Sequence, residues 1–170
     1  ANRMRLLDDT LLNEFREALG SKNLAPKKVK KHKMKNAEPY AVVISPTDLH
    51  FGAGSWVDET GSHYDTVEAK NRLIDRTNNL ITRLPSRPEK IILATGSDWF
   101  HIDNEEGATT KGTIQDLSTS PAQIFMDGCE LAREHIELLR AVTDIQVVFM
   151  RGNHDRQMAL ALMMYLKAVY

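Results

Sequence analysis

Two observations predict an α/β chain built on a parallel sheet. Residues 40–44, 91–94 and 145–150 are short apolar runs rich in β-branched side chains, and stretches of helical spacing separate them. Helical crossovers between such strands place successive strands parallel, with helices packed on the sheet. The length of 170 residues suits one domain.

The elements follow in order. Leu7, Leu11, Phe15 and Ala18 or Leu19 fall at helical spacing, so an amphipathic helix is expected over 6–19, ending at Gly20. A lysine-rich linker follows, containing Pro26 and closed by Pro39. The run Tyr40-Ala41-Val42-Val43-Ile44 is continuously apolar, as a strand buried on both faces would be. Residues 45–65, with Pro46, Gly52, Gly54 and Gly61, read as loop, and a helix is expected over 66–84, stopped by Pro85 and Pro88. After the second strand comes a long polar loop over about 96–120. Residues 121–142 carry Ile124, Leu131, His135, Leu138 and Val142 on one stripe, with Pro121 near the helix start. His135 on that stripe reads as a core histidine, and His63 as a loop residue. The third strand and a closing helix over 156–169 complete a β-α-β-α-β-α order.

Composition excludes several classes. No apolar run reaches the ~20 residues of a membrane span, so no membrane partner is expected. The start has no apolar signal core, and cytoplasmic residence is the expectation. One cysteine, Cys129, excludes a disulfide framework and a Cys-rich zinc module. The net charge of −1 conceals an asymmetry: residues 1–35 hold ten Lys or Arg against four acids, and residues 36–170 hold twelve against nineteen. Lys27, Lys28, Lys30 and Lys31 lie in the basic stretch. They are read either as a solvated arm or as a phosphate-seeking arm for DNA or RNA.

In a parallel sheet, ligands bind at the loops beyond the carboxyl ends of the strands. Here the first strand is followed by Asp48-Leu49-His50, the second by Gly96-Ser97-Asp98 with His101, Asp103 and Asn104 close behind, and the third by Arg151-Gly152-Asn153-His154-Asp155. Oxygen and imidazole donors of this kind suit Mn²⁺, Fe, Zn²⁺ or Mg²⁺.

These motifs resemble the calcineurin-like metallophosphoesterases over residues 40–157. Asp48-x-His50 and Gly152-Asn153-His154-Asp155 match the family pattern, and Gly96-Ser97-Asp98 matches its Gly-Asp element with one residue inserted. The 99–120 loop, with Thr109-Thr110-Lys111-Gly112-Thr113, is similar to phage-encoded members. The resemblance implies a β-α-β-α-β-α half of the family's sandwich over 40–170, preceded by an extra N-terminal helix and basic linker over 1–39. It implies a two-metal site for phosphoester hydrolysis, with Mn²⁺ as first choice. Asp48 and His50 would bind one ion, Asp98 would bridge, and Asn153 would bind the second. His154, held by Asp155, would act as general acid. Arg151 reads either as added charge for the phosphate or as a solvated residue leaving the strand, and His101, Asp103 and Asn104 read as groups that orient the ligands, as substrate contacts or as a polar loop tip.

The sequence departs from the family after His154, the last histidine in the chain, because a separate His and a Gly-His-x-His element are missing. The expectation is therefore an impaired or inactive isolated chain, with the missing half in the same protein or in a second one. The segment 158–166, apolar on every side, also expects cover on more than one face. The substrate expected is a phosphodiester, in a nuclease-like reaction. The alternatives are a phosphomonoester or phosphoprotein, or a non-catalytic nucleic-acid-binding module.

Overall fold

The computed structural model describes residues 26–35 and 38–170, and the helix expected over 6–19 lies outside them. One parallel sheet has the order β1 (Ala41–Ile44), β2 (Lys90–Gly96), β3 (Asp144–Met150). The loop after β1 contains α1 (Val57–Thr60), a short helix that the Pro- and Gly-rich composition concealed. Helix α2 (Thr66–Thr82) connects β1 to β2, α3 (Pro121–Arg140) connects β2 to β3, and α4 (Arg156–Val169) follows β3. Two of these helices start on side-chain caps. Asp65 accepts the Glu68 amide at 2.8 Å, and Ser120 accepts the Gln123 amide at 3.3 Å ahead of Pro121.

Register explains which residues form the core. Ile44, Leu93 and Val147 are neighbours across the sheet, as are Val42, Ile91 and Ile145, and Thr95 pairs with Phe149. This face carries the buried Ile44, Ile91, Leu93 and Thr95, packed with Ala69, Leu73, Ile124, Leu139 and Leu162 of the helices. The other face does not meet the expectation of burial: Val43 is 65% exposed and Val148 41%. The strand order runs 1-2-3 in one direction, so two right-handed crossovers put both helices on the same side. Among the described residues nothing covers the second face. Helix α4 buries Ala159, Leu162, Leu166, Ala168 and Val169 and leaves Leu160 exposed. No described helix is long and apolar enough to cross a membrane.

Residues 26–35 cross the end of the sheet where the strands begin. The His32 amide donates to Ala141 O at 2.7 Å, Lys31 pairs with Asp144 at 3.6 Å, and Lys35 O accepts the Arg87 amide at 2.9 Å. Buried Glu137 gathers the Lys27 amide, the Arg140 guanidinium and the Tyr170 hydroxyl. The described stretch of lysines is thus anchored by its backbone while its charges line the surface.

His135 is a satisfied core histidine. The Thr77 hydroxyl gives its single proton to Leu73 O at 2.7 Å, so His135 Nε2–H must donate to Thr77 Oγ1 at 3.0 Å. Burial pushes this imidazole down to about 4 from 6.5. The native state keeps the ring neutral while the unfolded chain protonates it below pH 6.5. Stability should therefore fall by up to about 3 kcal/mol as pH drops from 6.5 to 4, and level off below that. Denaturant titrations of the wild type and His135→Gln at several pH values check this, since the difference between them should lose its slope outside that window.

Candidate metal centre at the strand ends

The three motifs converge because the chain continues its ladder past the strands. Asp48 N donates to Ser97 O at 2.9 Å, His50 N to Asp98 O at 3.0 Å, and Phe51 N to Trp99 O at 2.8 Å. Segments 48–51 and 97–100 therefore run side by side beyond β1 and β2. The cost is local backbone strain, with positive φ at Asp48 (53°), His50 (46°), Ser97 (50°) and Asp98 (62°). Asp and His tolerate this region better than most residues, and Ser97 is the less usual occupant. With Ser97 and Asp98 both in the left-handed region, the chain turns so that Asp98 lies at the strand ends.

Asp98 is the hub. It is buried, and its Oδ1 accepts the Asn153 amide at 2.7 Å and the His154 amide at 2.6 Å, tying the loop after β3 to the loop after β2. Such close approach requires Gly152: a Cβ there would lie 2.2 Å from Asp98 Oδ1 and 2.3 Å from Asp98 N. Gly152→Ala is accordingly expected to cost about 1–3 kcal/mol, the usual penalty of overpacking, and to weaken metal binding along with it. Thermal melts and metal titration of that variant test both effects.

The acceptor oxygens of Asp48 and Asp98 and a ring nitrogen of His50 lie within 4.8 Å of one another. A second group, the ring nitrogens of His50, His101 and His154, meets the same limit. His50 and His101 approach at Nδ1···Nδ1 3.2 Å, while His50 Nε2 is 4.0 Å from Asp48 Oδ1. His154 Nδ1 lies 3.0 Å from His101 O, and a carbonyl only accepts, so that nitrogen carries the proton. Burial and its two imidazole neighbours push His101 down to about 4. Burial, with His154, also lowers His50 against the pull of Asp98 and Asp48. Oxygen and imidazole donors at this spacing fit a divalent ion.

The remaining candidates are placed as follows. Asp155 does not hold the His154 ring. Its carboxyl is fully buried, accepts the Phe100 amide at 2.9 Å through Oδ2, and leaves Oδ1 without a partner among the described residues. Burial, helped by Asp98 and Asp103, pushes that carboxyl up to about 6. The support expected of Asp155 is supplied to His154 by the His101 carbonyl instead. Asp103 accepts the Gln157 amide at 2.5 Å and the Met158 amide at 3.0 Å, which makes it a cap for α4 borrowed from the preceding loop. Thr110 assists, donating to Asp103 at 2.8 Å and accepting the Arg156 amide at 3.2 Å. Asn104 caps a turn through Ala108 N, and Asn153 and Arg151 are exposed at the same strand end. Lys27, Lys28, Lys30 and Lys31 lie at the opposite pole, where the strands begin. The seven residues of β3 separate the poles by about 23 Å.

The sequence reading missed Arg72 and Arg76. They stand one turn apart on α2 and line a cavity of about 740 Å³ together with Asp48, His50, Tyr64 and His101. Their i, i+4 spacing was the available signal. The chain matches no family model, no curated protein and no solved structure.

Proposed function

We propose that this chain carries one side of a two-metal centre for phosphoester hydrolysis of the calcineurin-like type, acting on a phosphodiester. The observation that carries the reading is the convergence of Asp48, His50 and Asp98 within 4.8 Å, with His101 and His154 beside them. Asp48, His50 and Asp98 would hold one divalent ion, with Mn²⁺ preferred over Fe, Zn²⁺ or Mg²⁺, and Asp98 with Asn153 would begin the second site. When bound, such ions supply an activated water and neutralise phosphate oxygens. The chain's own residues then position and protonate. Because His154 Nδ1–H is committed to the His101 carbonyl, Nε2 is the nitrogen left to pass a proton to the leaving oxygen. Asp98 Oδ1 is committed to two amides, which leaves Oδ2 for metal.

The phosphodiester reading is supported by Arg72 and Arg76 on the wall of the cavity that opens on His50 and His101. Two guanidinium groups there suit a flanking phosphate of a nucleic acid. The lysines at the other pole contribute no chemistry and at most salt-sensitive affinity. Further ligands for the second ion would come from another part of the same protein or from a second chain.

The test is a Mn²⁺ titration by calorimetry alongside hydrolysis of a nitrophenyl monoester, its bis-ester and DNA, with and without chelator. The chain alone should bind one ion weakly and turn over poorly. Chelator-insensitive DNA binding without any hydrolysis would replace the enzyme reading with a binding module. Absence of Mn²⁺ binding would remove the metal centre altogether.

A further inference from the structure

Three imidazoles meet at the strand ends, and the ring of one of them, His101, has no part in the ligand set described above. His50 follows β1, His101 follows β2 and His154 follows β3, and one ring nitrogen of each lies within 4.8 Å of the other two. Their ring centroids are 5.2, 4.6 and 5.5 Å apart. Three imidazoles on one tetrahedral ion, bound at about 2.0–2.1 Å, hold their ring centres about 5 Å apart. The two Nδ1 atoms of His50 and His101 are separated by 3.2 Å, close to the roughly 3.3 Å between two nitrogens on such an ion. Nitrogens at that distance either share one proton or both face a cation.

The second nitrogen of two of these rings is also provided for. A histidine that ligates metal gives its other N–H to a carbonyl or a carboxylate, which fixes the ring. His154 Nδ1–H meets the His101 carbonyl at 3.0 Å and leaves Nε2 for an ion. His50 Nε2 faces the Asp48 carboxylate at 4.0 Å and leaves Nδ1 on the side of His101.

We propose that His50 Nδ1, His101 Nδ1 and His154 Nε2 form a zinc-binding site of their own, beside the carboxylate set of Asp48, His50 and Asp98. Three nitrogens without a carboxylate select a borderline ion, because imidazole suits Zn²⁺ whereas oxygen donors suit Mn²⁺ and Mg²⁺. His50 belongs to both sets, but a neutral imidazole has one lone pair. Zn²⁺ and Mn²⁺ therefore compete for its ring. Binding of zinc stands without the phosphoester reading. Its effect on turnover rests on that reading, since zinc on His154 Nε2 removes the nitrogen assigned to the leaving oxygen.

The test is calorimetric titration of the untagged full chain with ZnCl₂ and with MnCl₂, joined to ¹⁵N spectra of the histidine side chains. His101→Asn keeps the backbone carbonyl that holds His154 and removes only a ring. It should lower Zn²⁺ affinity at least about 100-fold, since loss of a residue outside the ligands already costs about 10–100-fold. Mn²⁺ affinity should be unchanged. Asp98→Asn should do the reverse, and His154→Gln provides an independent zinc variant should His101→Asn fold poorly. Zinc should shift the ¹⁵N resonances of His50 Nδ1, His101 Nδ1 and His154 Nε2. Zinc binding with those shifts, in a chain that takes up no Mn²⁺, would uphold this site while removing the phosphoesterase centre. Absence of Zn²⁺ binding, or unchanged zinc affinity in folded His101→Asn, would overturn the proposal. So would an equal loss of zinc affinity in Asp98→Asn, which would put the ion on the carboxylates.

Discussion

Asp98→Asn is expected to lower divalent-metal affinity by at least about 100-fold, since loss of a supporting residue outside the ligands already costs 10–100-fold. The fold should survive. The asparagine carbonyl can still accept the Asn153 and His154 amides that now meet Oδ1. What changes is the second atom, where an amide NH₂ replaces a carboxylate oxygen and turns a donor toward the cation. Calorimetric Mn²⁺ titration and a thermal melt on the same sample separate the two effects. Unchanged metal affinity would mean that the turn at Ser97 has taken Asp98 out of the ligand set.

Phe100→Ala should cost about 3–5 kcal/mol, the range for truncating a buried aromatic ring, out of a net stability that is typically about 5–15 kcal/mol. Phe100 is fully buried, and its ring fits against α3 only because Gly128 lacks a Cβ, which would sit 2.2 Å from Cε1. Trp99 is also fully buried, with its Nε1–H on Gly128 O at 3.2 Å. Together these aromatics fix the segment that presents Asp98 on one side and His101 on the other. Metal affinity should therefore fall with stability in Phe100→Ala, even though the ring touches no ligand atom. Urea unfolding and metal titration measure the pair, and a stability loss under about 1 kcal/mol would show that the site is held by backbone hydrogen bonds alone.

The strands and the longer described helices were legible because their side chains are periodic or β-branched. The apolar 145–150 run foretold β3, and Pro121 marked where a helix begins. What periodicity could not convey was how many faces would be covered. Val43 and Val148 read as buried because parallel strands usually are, yet strand order decides on which side the crossovers fall. The same holds at the centre. Asp48, His50, Asp98 and His154 could be placed at strand ends from motifs, and the structure brings them together. Asp103 and Asp155 looked equally chemical in sequence. Their carboxylates are instead committed to backbone amides at Gln157, Met158 and Phe100, a use that only the folded path of the chain reveals.

The left-handed backbone at Asp48, His50, Ser97 and Asp98 also bears on how the molecule opens. Each such residue costs on the order of 1–3 kcal/mol, and that cost is released when the two loops detach. The core around Ile91, Leu93, Leu139 and Leu162 shares none of it. The strain therefore lowers the cost of opening at Asp48, His50 and Ser97, whose amides should exchange with solvent ahead of the β2–β3 ladder, while Phe51, Trp99 and Phe100 stay with the core. A captured ion would oppose that opening by mass action. Those amides would then exchange more slowly than in the ion-free protein, so that hydrogen exchange reads out ligation without any substrate.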